Sequence, residues 1–150
     1  MTYSSSQATA GRGSSLSIGS GTPVMIGEIR SCSRSGNGWE TSDVTNFESG
    51  FSQEFIATIL NQGELKISGN RVSSDAGQVA VQSAFDGANA GTLQQFKLQL
   101  AKSPAQTTSG DSMTFAALVQ SVSFDVDVAK EITYSVNLKC SGVWTYTEGS

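Results

Sequence analysis

The run from Asp43 to Asn70, D-V-T-N-F-E-S-G-F-S-Q-E-F-I-A-T-I-L-N-Q-G-E-L-K-I-S-G-N, joins two stretches of strand pattern. Trp39 to Thr45 ends the first. In the second, Glu64 to Asn70, Leu65 and Ile67 alternate with Glu64, Lys66 and Ser68. The connection between them, residues 45–63, far exceeds a hairpin turn. Connections longer than about 12–15 residues in a compact domain are usually functional or disordered, and disordered ones are poor in aromatic and branched apolar side chains. This one carries Phe47, Phe51, Glu54, Phe55, Ile56, Ile59 and Leu60. Exposed on a monomer, its apolar groups form a patch of the kind that marks contact sites, so the connection reads as an arm packed on a neighbouring copy. A second reading stands beside it. Phe51, Phe55, Ile56, Ile59 and Leu60 also have the spacing of a short amphipathic helix, capped by Ser49 or Ser52, that covers the end of its own sheet.

Upstream, residues 1–22 are nearly all Ser, Thr, Gly, Ala and Gln, with Leu16 and Ile18 as the sizeable aliphatics after Met1. Such a segment buries too little surface to fold alone and reads as a flexible N-terminal arm. Val24–Ser33 is β-rich, and the Asn37-Gly38 pair behind it favours the positive φ of a tight turn. The expectation is a hairpin between Val24–Ser33 and Trp39–Thr45. Downstream of the third strand, Gly63–Val72, Asp75 and Gln78 have capping-box spacing. Val81, Ala84, Phe85 and Ala88 then share one helical face, giving a single helix over residues 75–89.

Three more strands follow. Gln94–Ala101 places Phe96, Leu98 and Leu100 on one face. Met113–Val128 alternates Val122, Phe124, Val126 and Val128 against Ser121, Ser123, Asp125 and Asp127, and is long for one strand. Ile132–Cys140 turns Ile132, Tyr134, Val136, Leu138 and Cys140 inward. The fold class is therefore mainly β: an antiparallel sandwich or barrel of about six strands over residues 23–142, flanked by one α-helix. Residues 143–150 form a second arm, with Trp144 and Tyr146 exposed unless something receives them.

Composition narrows function. The 150 residues suit one domain with a real core. A net charge of −4 with singly scattered Lys and Arg argues against tight nucleic-acid binding. Histidine is absent, which removes the usual neutral-pH base and the commonest metal ligand. Cys32 and Cys140 lack metal-site spacing and read as two small buried hydrophobes, or as a bridge if their Cβ atoms meet. No cofactor is implied. The N-terminus lacks an apolar leader and no run approaches the ~20 apolar residues of a membrane span, so the expectation is a cytoplasmic product with reduced thiols.

The succession of these parts resembles the major tail tube protein of long-tailed bacteriophages and, more distantly, the tube protein of type VI secretion. The residues that carry the resemblance are Gly19-Ser20-Gly21-Thr22-Pro23, then Asp43-Val44-Thr45-Asn46-Phe47-Glu48-Ser49, Glu54-Phe55-Ile56 and Gln62-Gly63-Glu64-Leu65. Ser68-Gly69-Asn70, the helix, and Ser135-Val136-Asn137-Leu138-Lys139-Cys140-Ser141-Gly142 complete it. The likeness covers most of residues 11–142; the turn at Ser35–Gly38 and the loop at Ser103–Asp111 carry nothing over. It implies a structural virion protein, built in the host cytoplasm into stacked hexameric rings that conduct DNA. Its implied partners are tape-measure, terminator and distal tail proteins, with double-stranded DNA in transient passage.

That implication is geometrically sound. Four strands from each of six subunits give about 24 strands at ~4.8 Å spacing, and a tilt near 40° makes the circumference about 150 Å. The bore is then roughly 40 Å, wide enough for a ~20 Å duplex. Candidate lumen residues on polar strand faces are Glu64, Ser68, Asn70, Ser121, Ser123, Asp125, Asp127, Ser135 and Asn137, which offer DNA little cationic grip; ordinary solvent exposure explains them equally well. Two other classes remain: a monomeric adhesin or glycan-binding module using Trp39, Trp144 and Tyr146, and an enzyme using the Asp125–Asp127 pair, which lacks an accompanying nucleophile.

Overall fold

Alternation of apolar and polar side chains places the C-terminal half of the chain in two long strands, and the rest of the sheet assembles on them. The computed structural model describes residues 11–150. In chain order its elements are β1 (Ser15–Ile18), β2 (Val24–Ile26), β3 (Ile29–Ser35), β4 (Gly38–Asp43), β5 (Phe55–Asn61), β6 (Glu64–Asn70), α1 (Ala76–Asp86), β7 (Gln94–Gln99), β8 (Ser112–Asp125) and β9 (Thr133–Thr147). Seven strands form one sheet in the order β2-β1-β7-β8-β9-β6-β3, and β4 with β5 forms a separate ribbon. Every pairing is antiparallel.

Only Gly27 and Glu28 separate β2 from β3, the two edges of the sheet. So short a link spans roughly 10 Å, which brings the end of one edge strand to the start of the other and forces the sheet to curl. Bulges between Thr114 and Ala116 and between Val119 and Ser121 supply bend. The first half of β8 pairs with both β7 and β9, and the second half with β9 alone. Leu118–Asp125 is thus a free edge among the described residues.

Helix α1 packs across β8, β2 and β1 and sends Val81 and Ala84 into the core. Gly77 touches β2 so closely that a Cβ there has no room against the Met25 carbonyl. Asp75 caps the helix, accepting from Gln78 N at 2.9 Å and from Gly27 N at 3.0 Å. Gln78 is buried and fully bonded: it donates to Gly27 O and Asn70 O and accepts from Val72 N and the Arg71 guanidinium. The expected capping-box pair therefore ties the helix to the link between the two edge strands.

Phe96, Phe115 and Leu138 are among the most buried side chains. Phe96 stacks on Phe115 at 5.6 Å and Phe115 on Trp144 at 4.1 Å, with the Arg34 guanidinium 3.7 Å over the indole. Leu138→Ala, which opens a cavity at the centre of this core, is expected to lower unfolding free energy by about 2–5 kcal/mol, read as a shift of the urea midpoint.

Several expectations are corrected. The N-terminal arm does not extend through residues 15–18, because β1 lies inside the sheet with Leu16 and Ile18 buried; Met1–Ala10 lie outside the described residues. The C-terminal arm is largely strand, since β9 runs to Thr147 and Trp144 packs on Phe115. Tyr146 donates to Asp111 at 2.6 Å, and the Ser150 carbonyl accepts from residues 107–109. Bonds from Gly149, Tyr146 and Gln106 hold the Asp111 carboxyl below its ordinary value. Both cysteines are free, and only Cys140 is buried. Cys32 is accessible as a residue, but its thiol lies toward the buried row with Ile67, where desolvation and the nearby Cys140 push it up to about 11.

Candidate functional site

The expected hairpin between Val24–Ser33 and Trp39–Thr45 does not form. Strand β3 pairs with β6, and β4 pairs with β5. Ser35 faces Glu64 and Gly38 faces Asn61, so the two pairs are one long ribbon bent at its middle. Gly36 and Gly63 stand at the bend with φ of 74° and 78°. A Cβ on Gly63 would collide with the Ser35 carbonyl. Arg34 braces the bend, donating to Gln62 O at 3.0 and 2.9 Å and to Gln62 Oε1 at 2.8 Å. Asn37-Gly38 thus serves a kink rather than a hairpin turn.

Beyond the bend the ribbon projects as an arm. The segment expected as a long loop is half strand, β5, with a tip over residues 44–54; the amphipathic-helix reading does not hold. All of Phe55–Asn61 is exposed. Phe55 shares a cross-strand row with Asp43, Ile56 with Ser42 and Leu60 with Trp39. Adjacent residues of a strand point to opposite faces, so apolar groups stand on both sides of the ribbon. Phe47 and Phe51 are as open as in an extended chain, at 108% and 112% exposure.

The tip is nonetheless well ordered by its own polar side chains. Asp43 Oδ1 accepts from Thr45 N, Asn46 Oδ1 from Glu48 N, and Glu54 Oε2 from the Ser49 hydroxyl at 2.7 Å. Glu54 N donates to Thr45 Oγ1 at 2.8 Å. Bonds from Thr45 hold the Asp43 carboxyl below its ordinary value. The D-V-T-N-x-x-S and Glu54 pattern therefore shapes the loop that displays the two phenylalanines, and Glu54 acts as its brace.

The second feature is a polar face on β3, β6, β9 and β8. Ser31, Ser68, Ser135 and Ser123 form one transverse row, with the Ser31 and Ser68 hydroxyls bonded to each other. Ser33, Lys66, Asn137 and Ser121 form the next. Glu64 lies opposite Lys139 at 3.9 Å. Asn70 is half-buried and donates to Glu28; Asp125 pairs with Thr133 at the strand end. Asp127 is elsewhere, in the β8–β9 turn, where it accepts from Ala129 N. Of the nine lumen candidates, eight therefore share this face.

The chain resembles solved structures across nearly its whole length. A chain of the anti-feeding prophage baseplate superposes with a TM-score of 0.71 at 14% identity, covering 97% of this chain and 98% of that one. A chain from the tail of an empty gene transfer agent particle with C6 symmetry gives 0.71 at 20% identity, covering 93% and 99%. The SPP1 tail tube gives 0.68 at 13% identity, covering 95% and 80%. The chain has the tail-tube fold. Neither a protein-family model nor a curated protein matches the sequence.

Within this tail-tube fold one apolar feature escaped the sequence. Phe124, Val126 and Val128, expected on one face of a strand running to Val128, and Ile132, expected inward, are 50%, 73%, 105% and 44% exposed. Strand β8 ends at Asp125, so Val126 and Val128 stand on the hairpin tip beyond the sheet, while Phe124 lies at the end of β8 opposite Tyr134 and Ile132 just precedes β9. Among the described residues no three His, Cys, Asp or Glu side chains gather, and no helix is long and apolar enough to cross a membrane.

Proposed function

We propose that the chain is a structural tube subunit of a phage-type tail, closing into six-membered rings that stack into a hollow conduit for DNA. One observation carries this reading: the polar face has four strands and, among the described residues, two free edges. Going across it, β3, β6, β9 and β8 alternate in direction. With an even number of strands, rotation brings β3 of one copy antiparallel to the free edge of β8 on the next, and a closed barrel leaves no edge exposed. Six copies, the symmetry of the gene transfer agent tail, give a wall of about 24 strands and a bore of roughly 40 Å.

The serine rows then line the bore. Glu64 and Asp125 are balanced there by Lys66 and Lys139, so the wall is polar and near neutral rather than acidic. DNA passes a surface whose cations are matched one for one by carboxylates and so gives little net grip. The arm packs on the adjoining ring, and function lies in interfaces rather than in an active site. Tape-measure, terminator and distal tail proteins are the partners of such a tube, which resides in the virion tail after assembly in the host cytoplasm. Sedimentation and negative-stain microscopy of the concentrated protein test the reading. Rings or hollow filaments are expected; a monomer at every concentration contradicts it.

A further inference from the structure

The two exposed apolar features lie at opposite poles of the polar sheet. The arm leaves from the end where Ser35 faces Glu64. The β8–β9 tip leaves from the other, where Asn70 faces Thr133 and Asp125 faces Thr133. Both extend strands of the same four-stranded face, so in a ring built as proposed they sit at similar radius, pointing up and down the axis.

From this placement we infer that the β8–β9 tip, with Phe124, Val126 and Val128, is the socket that receives the Phe47–Phe51 arm tip of a copy in the next ring. The inference rests on the tube reading and adds the receiving surface. A head-to-tail contact between unlike surfaces propagates without closing, which is what a filament requires. Charge does not drive the contact: residues 38–61 carry Glu40, Asp43, Glu48 and Glu54 and no Lys or Arg, and at the opposite pole Arg30, Arg71 and Lys130 are outnumbered by Glu28, Asp125, Asp127 and Glu131. Arg30 is already bonded to Glu131 and Arg71 lies over the Phe124 ring at 5.4 Å, so the apolar side chains are what hold the contact.

Size decides the order of assembly. Two phenylalanines against one phenylalanine and two valines bury on the order of 500 Å² per copy on each side, short of the roughly 1,200 Å² total of a stable pair once polar edges are counted as costs. Single subunits therefore do not join through it. Rings, with the contact repeated around the circle, do.

Mixing two variants tests the socket. Val126→Asp with Val128→Asp removes it, and Phe47→Asp with Phe51→Asp removes the arm tip; all four side chains are so exposed that circular dichroism and Tm should match wild type. Each variant alone is expected to give single rings. Preformed rings of the two, mixed, should pair through the one intact arm and the one intact socket into double rings and grow no further. Long tubes from the Val126/Val128 variant, or no pairing in the mixture, overturn the socket assignment while leaving the tube reading intact. Absence of rings from the wild-type chain overturns both.

Discussion

The chain carrying Phe47→Asp and Phe51→Asp is expected to fold like the wild type and to form no tubes. Neither side chain touches the body, so the urea midpoint should be unchanged within error. Burying a phenylalanine in a contact stabilises by about 2 kcal/mol. Losing both costs roughly 4 kcal/mol per subunit contact, about a thousandfold in affinity, before the introduced carboxylates add their own desolvation. Repeated around a ring, the loss abolishes stacking at any accessible concentration. Sedimentation of the variant should show no species larger than a single ring, and full-length tubes would remove the arm from the assembly.

The second large effect is a gain of grip. Ser135→Lys places one cation per subunit in the central serine row. On a circumference of about 150 Å the six ammonium groups stand roughly 25 Å apart, beyond the ~10 Å Debye length at 0.1 M salt, so tubes should still assemble. Linear duplex DNA that threads the bore meets such a ring at every level and should bind, with affinity falling steeply from 50 to 200 mM salt. A closed circle cannot thread and should stay free. Equal binding of both forms would put Ser135 on the outside of the tube, whereas wild-type tubes should retain neither form.

Much of the fold was legible because the signals are local. Leu65 and Ile67 in β6, and Tyr134, Val136 and Leu138 in β9, are buried as their period-two pattern demands. Asp75 caps α1 from the expected position. What failed was what depends on distant partners. Four-residue β1 has only Leu16 and Ile18 to mark it, and its place is set by pairing with β7, about 80 residues further along. Asn37-Gly38 has turn chemistry, but the chain opposite it, Asn61–Gly63, is a partner ribbon bending at the same level. Alternation through Phe124, Val126 and Val128 continues past the end of the sheet, and no residue in the run announces where its partner stops. The arm showed its apolar character in sequence but not its form. Its exposed strand β5 has a helix-like spacing, and only pairing with β4 decides between the two.

The central claim is that copies of this chain close into a ring through the free edges of β3 and β8, with the serine rows facing inward. Cryo-electron microscopy of assemblies grown from the purified wild-type chain reads this directly. Six subunits per ring, a continuous antiparallel wall joining β3 to the β8 of the next copy, and Ser31, Ser68, Ser123 and Ser135 around a bore of roughly 40 Å are the predicted result. A ring whose bore is lined by another face, or joined without those edges, would contradict it.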